Sequence, residues 1–486
     1  MLQQDNKKLN IIFLINNPSD REKDPLVKMA FDLLLKSFEN AFNIQHRILI
    51  LKYSLDENDK NRLLRLLEVQ KNTSDIGIPV KKDISDLHDF GNVKFTEPIF
   101  LGLTLHYIKS IYSAKHTILI PWGHGYGVGL FKNKNFVFDS HQLKAADYLF
   151  RNEKSVILSK KITAPFVQKD NYQLNADRNE TIDTIDVTDM LTNGELNDAI
   201  KIGYRSEDRG NKIDMLLFMN CDMMRFDTIY DLAASVKYIV GPETPISFVG
   251  YNYIELFDFI NSKIDQLDEE DTWRDMCNNL TSKFMDAYNF QDADQKKFAG
   301  RTFITAVETC SIRNISAQLN ELLLLIISNR ELRQKFIPAI DSIKFSDDTS
   351  NSWGDAPNNT DQETRGFCFD LKNFDLIDIF QRFLSLLDTS ESIKAAELTS
   401  SLITMLKDAI ISIKPIVKDE FQKKFNGISI TMPCTLEQMG EHPFFKDFNI
   451  IGSKDSDLFA YENYWSDFLP LLLKNRDAEN NAIKKM

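Results

Sequence analysis

A chain of 486 residues with 43% apolar and 11% aromatic side chains is long enough to build more than one hydrophobic core and to bury roughly 75% of its unfolded surface, which excludes intrinsic disorder for most of it. Its 58 Lys and Arg against 71 Asp and Glu leave a net charge of −13, which repels a phosphate backbone and argues against a nucleic-acid partner. No stretch approaches the roughly 18 consecutive apolar residues that span a bilayer, so no membrane span is expected.

Leu9–Ile15 is the first strand in chain order. Its apolar run Ile11–Ile15 is shorter than a secretory core of about 7 to 15 residues. Either the protein is cytoplasmic, or an export signal has been removed and the protein is secreted or held at the cell surface. Asp24-Pro25 opens a helix whose stripe is Leu26, Met29, Ala30, Leu33, Leu34 and Phe38. Arg47–Leu51 is the second strand. A helix near Glu97-Pro98 carries Phe100, Leu101, Leu105 and Ile108, and Thr117–Trp122 is a buried central strand. Asp214–Met219 is another, followed by a helix over Asp227–Ala234 and a strand over Val236–Val240. Strands alternating with amphipathic helices predict an α/β fold, a mostly parallel sheet flanked by helices, with its ligand site at the carboxyl ends of the strands.

Beyond residue 255 helical spacing dominates, in Ile315–Ser328, Phe374–Leu387 and Ala395–Val417. The division expected is an α/β domain over 1–255 and a mainly helical domain over 256–486. Ser346–Gly366 has the composition of an exposed loop, and Gly427–Pro433 that of a late edge strand. No internal repeat of about 20 to 50 residues is present.

Cys221, Cys277, Cys310, Cys368 and Cys434 form no CxxC pair, and no histidines stand at HExxH spacing, so neither a disulfide scaffold nor a structural metal is expected. Two strand ends carry chemistry. After Thr117–Trp122 comes Gly123-His124-Gly125-Tyr126-Gly127-Val128-Gly129, where four glycines in seven residues permit close backbone approach and display His124. After Asp214–Met219 come Asn220 and Cys221. A Cys/His pair is the minimum machinery of thiol acyl transfer: the thiolate attacks a carbonyl and the imidazole protonates the leaving group. The N–H groups of Gly125 and Cys221 are the natural oxyanion donors. Taken singly, a glycine-flanked histidine is usually a turn residue and a strand-end cysteine usually core. The glycines lack GxGxxG or P-loop spacing. Asp139-Ser140-His141 lacks an elbow motif, and Asp183, Asp186 and Asp189 lack the glycine and distal glutamate of a calcium loop.

Several blocks together, Ile118–Gly125, Leu191–Leu196, Asp214–Tyr230 around Asn220-Cys221-Asp222-Met223, Tyr238–Glu243, Asn426–Pro433 and Phe459–Leu469 with Trp465, resemble the clostripain family of caspase-like cysteine peptidases. The resemblance implies a caspase-like fold, His124 as general acid/base, Cys221 as nucleophile, no cofactor, and a peptide or protein substrate. In that family the interval between the pair can carry a self-cleavage site. Lys154, Lys160, Lys161, Lys169 and Arg178 lie in this interval, in what reads first as a solvated loop. One departure bears on specificity. Relatives that cut after Arg or Lys place an aspartate two residues before the cysteine, and a further acid before a Gly-aromatic pair. Here these positions hold Met219 and, loosely aligned, Val249 ahead of Gly250-Tyr251. An unpaired buried cation costs several kcal/mol, so an uncharged or apolar primary specificity follows, with Met219, Asn220, Glu243 and Val249 as pocket residues. Glu243 and Asp222 are the acids able to restore a cation site. The rival expectations are a catalytically degenerate binding or adhesion module and a Cys/His amidohydrolase or acyltransferase. Oligomeric state is left open.

Overall fold

A computed structural model of the chain describes residues 7–16, 34, 37–38, 45–55, 62–70, 80–83, 98–123, 125, 129–130, 191–204, 212–244, 246, 250–287, 302–341, 372–387, 392–414, 426–432, 462–465, 468–469 and 471–472. Among them are the strands β1 (Lys7–Asn16), β2 (His46–Leu55), β3 (Arg62–Gln70), β4 (Val80–Asp83), β5 (Ala114–Trp122), β6 (Gly129–Leu130), β7 (Leu191–Thr192), β8 (Ile213–Leu217), β9 (Val236–Pro242), β10 (Ile304–Glu308), β11 (Lys372–Asp375), β12 (Ile410–Ile413) and β13 (Ser429–Met432).

Nine of these form one sheet, in the order β12-β10-β9-β8-β5-β1-β2-β3-β4. Its centre, from β2 through β1, β5 and β8 to β9, is parallel. The flanks are antiparallel. Leu9 and Ile11 through Ile15 are fully buried with no apolar/polar alternation, as a strand covered on both faces requires. Ile12 and Leu14 face one core and Leu9, Ile11, Phe13 and Ile15 the other. On the first face lie the helices α1 (Pro98–Ile111), α2 (Asn193–Tyr204) and α3 (Phe226–Leu232). Phe257, Trp273, Met276 and Cys277, from α4 (Tyr253–Lys263) and α5 (Glu270–Ser282), fill the second.

The central strands and their helices stand where the sequence puts them. The antiparallel flanks do not follow from it. β3 carries leucines at 63, 64, 66 and 67, a spacing closer to a helix than to a strand, and pairing of Leu66 with Leu51 overrides it. The helix expected over Ala395–Val417 ends at Ala409, because Ile410, Ile411 and Ile413 are β-branched and are taken into β12 beside β10. Residues on both sides of position 255 therefore share one sheet. The late strand β13 joins β11 in a separate two-stranded ribbon. The helix expected from Asp24-Pro25 and the loop Ser346–Gly366 lie outside the described residues, apart from the buried Leu34 and Phe38.

An ionic cluster ties the amino ends of β5, β8 and β9. Asp214 accepts hydrogen bonds from the Thr117 N–H (2.9 Å) and Lys237 Nζ (2.8 Å), and His116 Nδ1 lies 3.4 Å from it. Burial alone pushes the Asp214 carboxyl up, but the bonds to His116 and Lys237 outweigh it and hold the group below the usual carboxylate range. A carboxyl lowered in the folded state stabilises above its unfolded pKa of about 4 and loses that contribution as pH falls through the folded value. Asp214→Asn is therefore expected to cost about 1–3 kcal/mol at pH 7. The gap to wild type should close in melts taken toward pH 3.

Candidate active site

The site stands at the carboxyl ends of β5 and β8. The two strands stay in register to their last residues: Trp122 bridges Met219, and the Met219 N–H donates to the Pro121 carbonyl at 2.9 Å. Phe218 is held on the other side by its N–H to the Val240 carbonyl at 2.8 Å. The chains that leave β5 and β8 therefore start side by side.

They meet again at once. A Cβ built on Gly125 would stand 2.4 Å from the Cys221 carbonyl oxygen, 2.7 Å from Asn220 Cβ and 2.8 Å from the Cys221 nitrogen. Only glycine fits so close an approach. The loop after β5 thus rests on the backbone of Cys221 itself. It is continued by a bridge from Gly125 to Leu130 and by pairing of β6 with β7. His124 lies outside the described residues, between Gly123 and Gly125, both described.

Cys221 is a partly exposed cysteine in no disulfide, packed at the edge of the second core, its Sγ 3.8 Å from the Ile246 carbonyl. The other two described cysteines differ. Cys277 is sealed in the core, where burial pushes its thiol up, and exposed Cys310 is pushed up by desolvation and by Glu308. Directly after Cys221, Asp222 has a φ of 60°, the one non-glycine positive φ among the described residues. Its N–H reaches the Thr244 carbonyl at 3.4 Å, and the Met224 N–H reaches the Pro242 carbonyl at 3.0 Å. Two contacts with the end of β9 thus impose the sharp turn. Burial raises the Asp222 carboxyl to about 7, with Arg225 opposing. The buried Arg225 in turn forks onto Asp227. The turn is closed from below by the ribbon, where the Ser429 N–H donates to the Met224 carbonyl at 3.1 Å.

On the Met219 side of the thiol the described surroundings are apolar. Met219 is 3% exposed and belongs to a core with Trp122, Ile246, Tyr251 and Tyr253. Gly250, at φ +69°, sits so close that a Cβ there would lie 2.1 Å from Met219 Sδ. The Tyr251 hydroxyl donates to the Phe218 carbonyl at 3.2 Å. Asn220 is fully buried beneath Gly125. Glu243, expected in the pocket, is 1% exposed; its N–H pairs with the Phe303 carbonyl at 2.8 Å. Burial first, then the charge of Asp375 in the ribbon, push its carboxyl well above the usual range. Val249, the segment holding Asp183, Asp186 and Asp189, and the basic residues from Lys154 to Arg178 lie outside the described residues. Sequence reasoning passed over Ile246 as a neighbour of the thiol; it lies between β9 and α4, and no motif marks it. Among the described residues no three His, Cys, Asp or Glu side chains converge to hold a metal ion, and no helix is long and apolar enough to cross a membrane.

Comparison with known proteins follows the same lines. The model of the clostripain family matches residues 166–471, more than half of the chain and inclusive of Cys221. Among solved structures, a secreted C11 cysteine protease from Bacteroides thetaiotaomicron in complex with an irreversible peptide inhibitor is 13% identical, with 91% of this chain and 98% of that chain covered and a TM-score of 0.51, a likeness of fold. An inactive zymogen C11 protease from Parabacteroides distasonis is likewise 13% identical, over 94% and 98% of the two chains, with a TM-score of 0.49. No curated protein sequence matches.

Proposed function

The chain belongs to the clostripain family and is a cysteine peptidase of caspase-like fold, and on that premise we propose that Cys221 is its nucleophile and His124 its general acid/base. The observation that carries this reading is the seat of Gly125 on the Cys221 backbone, because it ties the residue next to His124 in the chain to the partly exposed thiol that follows β8. In the proposed reaction the Cys221 thiolate adds to the carbonyl carbon of the scissile peptide bond. The N–H groups of Gly125 and Cys221 hold the oxyanion, and His124 gives its proton to the departing amine. Water, deprotonated by His124, then hydrolyses the thioester and frees Cys221.

The pocket residues proposed are Met219, Asn220, Val249 and Glu243. Met219 packs against Gly250 within an apolar cluster, and a cationic side chain buried against it would lose its hydration and find no acid at that position. Primary specificity is accordingly for uncharged or apolar residues rather than Arg or Lys. The structure of the secreted relative carries a peptide inhibitor, which supports a peptide substrate and, for this chain, a secreted or cell-surface location.

Iodoacetamide labelling tests the assignment. Near neutral pH, modification of Cys221 should outrun that of Cys277 and Cys310 and fall in step with loss of peptide hydrolysis. In matched peptides, Leu or Met before the cut should be preferred over Arg or Lys at least about tenfold, the worth of roughly 1.4 kcal/mol. Hydrolysis that survives full modification of Cys221 would refute the nucleophile.

A further inference from the structure

We propose that Asn193 is a positioning residue for the reaction: its buried amide, hydrogen-bonded to Thr228 in the helix that follows Cys221, anchors the short ribbon of β6 and β7 to which Gly125 is bridged, and so sets that oxyanion donor against the nucleophile. The inference rests on Cys221 as nucleophile and on the Gly125 N–H as an oxyanion donor. It begins from the local sequence. Thr192-Asn193-Gly194-Glu195 has the spacing of a capping box, and the box is closed. The Glu195 carboxylate accepts from the Thr192 N–H at 2.9 Å and from its hydroxyl at 3.1 Å, while the Glu195 N–H donates to Thr192 Oγ1 at 3.2 Å. Thr192 is also the last residue of β7, paired with Gly129 of β6. β7 and α2 are therefore one rigid piece.

Asn193 opens α2, and asparagine favours helix ends because its side chain competes for backbone groups there. Here Thr192 and Glu195 form the cap, and the Asn193 amide reaches across to α3 instead. Its Nδ2 donates to Thr228 Oγ1 at 2.9 Å, with both residues buried. One turn further along α2 the Asn197 amide meets Ser235 Oγ at 2.7 Å, also buried. The first of these links holds the β7 end of α2 against α3, and the second holds its middle against the segment after α3.

From Asn193 the connection runs to the site in both directions. Through Thr228 it reaches α3 and the turn after Cys221, which β9 and Ser429 pin by backbone hydrogen bonds. Through Thr192 it reaches β6, where Leu130 pairs with Leu191, both fully buried, and Leu130 in turn bridges Gly125. Gly125 rests on the Cys221 backbone and closes the ring of contacts. Packing at Gly125 limits how near the two backbones come but is non-directional. The tether through β6, β7 and Asn193 adds the direction in which the Gly125 N–H points, and an oxyanion donor acts only when it is aimed beforehand.

The test is steady-state kinetics of the full chain beside inhibition by a peptide aldehyde ending in leucinal, whose adduct with the thiol is tetrahedral and uses the same oxyanion donors. Thr228→Val keeps the shape of the side chain and removes the hydroxyl, while the Asn197 link still holds α2 in place. It should lower kcat about tenfold with KM within about twofold of wild type, and weaken the aldehyde by a similar factor. Thr228→Ser keeps the acceptor and should stay within about twofold of wild type. Asn193→Ala should match Thr228→Val, and the double variant should be no worse than either single one, since both remove the same bond. Where these variants do not fold, Glu195→Ala, which opens the capping box at a partly exposed position, is compared with Glu195→Gln in the same assays. A folded Thr228→Val, Asn193→Ala or Glu195→Ala variant with wild-type kcat and aldehyde affinity overturns the proposal, however far its melting temperature has dropped. If Cys221→Ala keeps its hydrolytic activity, the nucleophile assignment falls instead, so the two failures are told apart.

Discussion

Cys221→Ala is expected to lower kcat/KM for any peptide the wild-type protein cleaves by about ten-thousand-fold or more, the scale on which removal of a covalent nucleophile acts. The fold should be almost untouched. The side chain is partly exposed, and its contact with the Ile246 carbonyl, at 3.8 Å, is weak; a methyl group in its place should change stability by less than about 1 kcal/mol. Paired measurements of hydrolysis and melting temperature decide the matter. A variant that melts like wild type and is inert fits the thiol mechanism. One that melts like wild type and still turns over shows that the chemistry resides elsewhere.

Gly125→Ala should be nearly as damaging, for a different reason. The added Cβ would meet the Cys221 carbonyl oxygen and nitrogen at 2.4 and 2.8 Å and Asn220 Cβ at 2.7 Å. Backbone atoms and a Cβ cannot rotate aside, so the loop itself must lift. Lifting it withdraws one proposed oxyanion donor, worth about a hundred- to a thousand-fold in turnover, and displaces the neighbouring histidine in the same movement. Because the clash falls on a rim loop and leaves the strand pairing of β5 with β8 alone, far-ultraviolet circular dichroism should be unchanged while kcat/KM drops by that factor or more. Activity within twofold of wild type would mean that the contact between the loops is irrelevant to turnover.

The central strands were legible because they are covered on both faces, and a strand such as β1 then spells a continuous apolar run, Ile11–Ile15. The flanking strands were not. β10 is five residues long and β12 four, and what makes them strands is a partner far away in sequence rather than their own pattern. The surroundings of Glu243 were hidden for the same reason: β10 pairs with β9 up to Pro242 and the Phe303 carbonyl takes the Glu243 N–H, so the sheet runs past the edge read from the sequence and the side chain is 1% exposed. Cys221 and the glycine loop were legible because each directly follows a readable strand. The left-handed backbone of Asp222 was not, because the hydrogen bonds that impose it come from Pro242 and Thr244, some twenty residues on.

The ribbon strand that props the turn after Cys221 has a consequence for biosynthesis. Ser429 donates both its N–H and its hydroxyl to Met224, at a separation of 205 positions, and without it a buried carbonyl loses partners worth about 1–3 kcal/mol. The turn after Cys221 therefore gains this brace only once synthesis has passed Ser429.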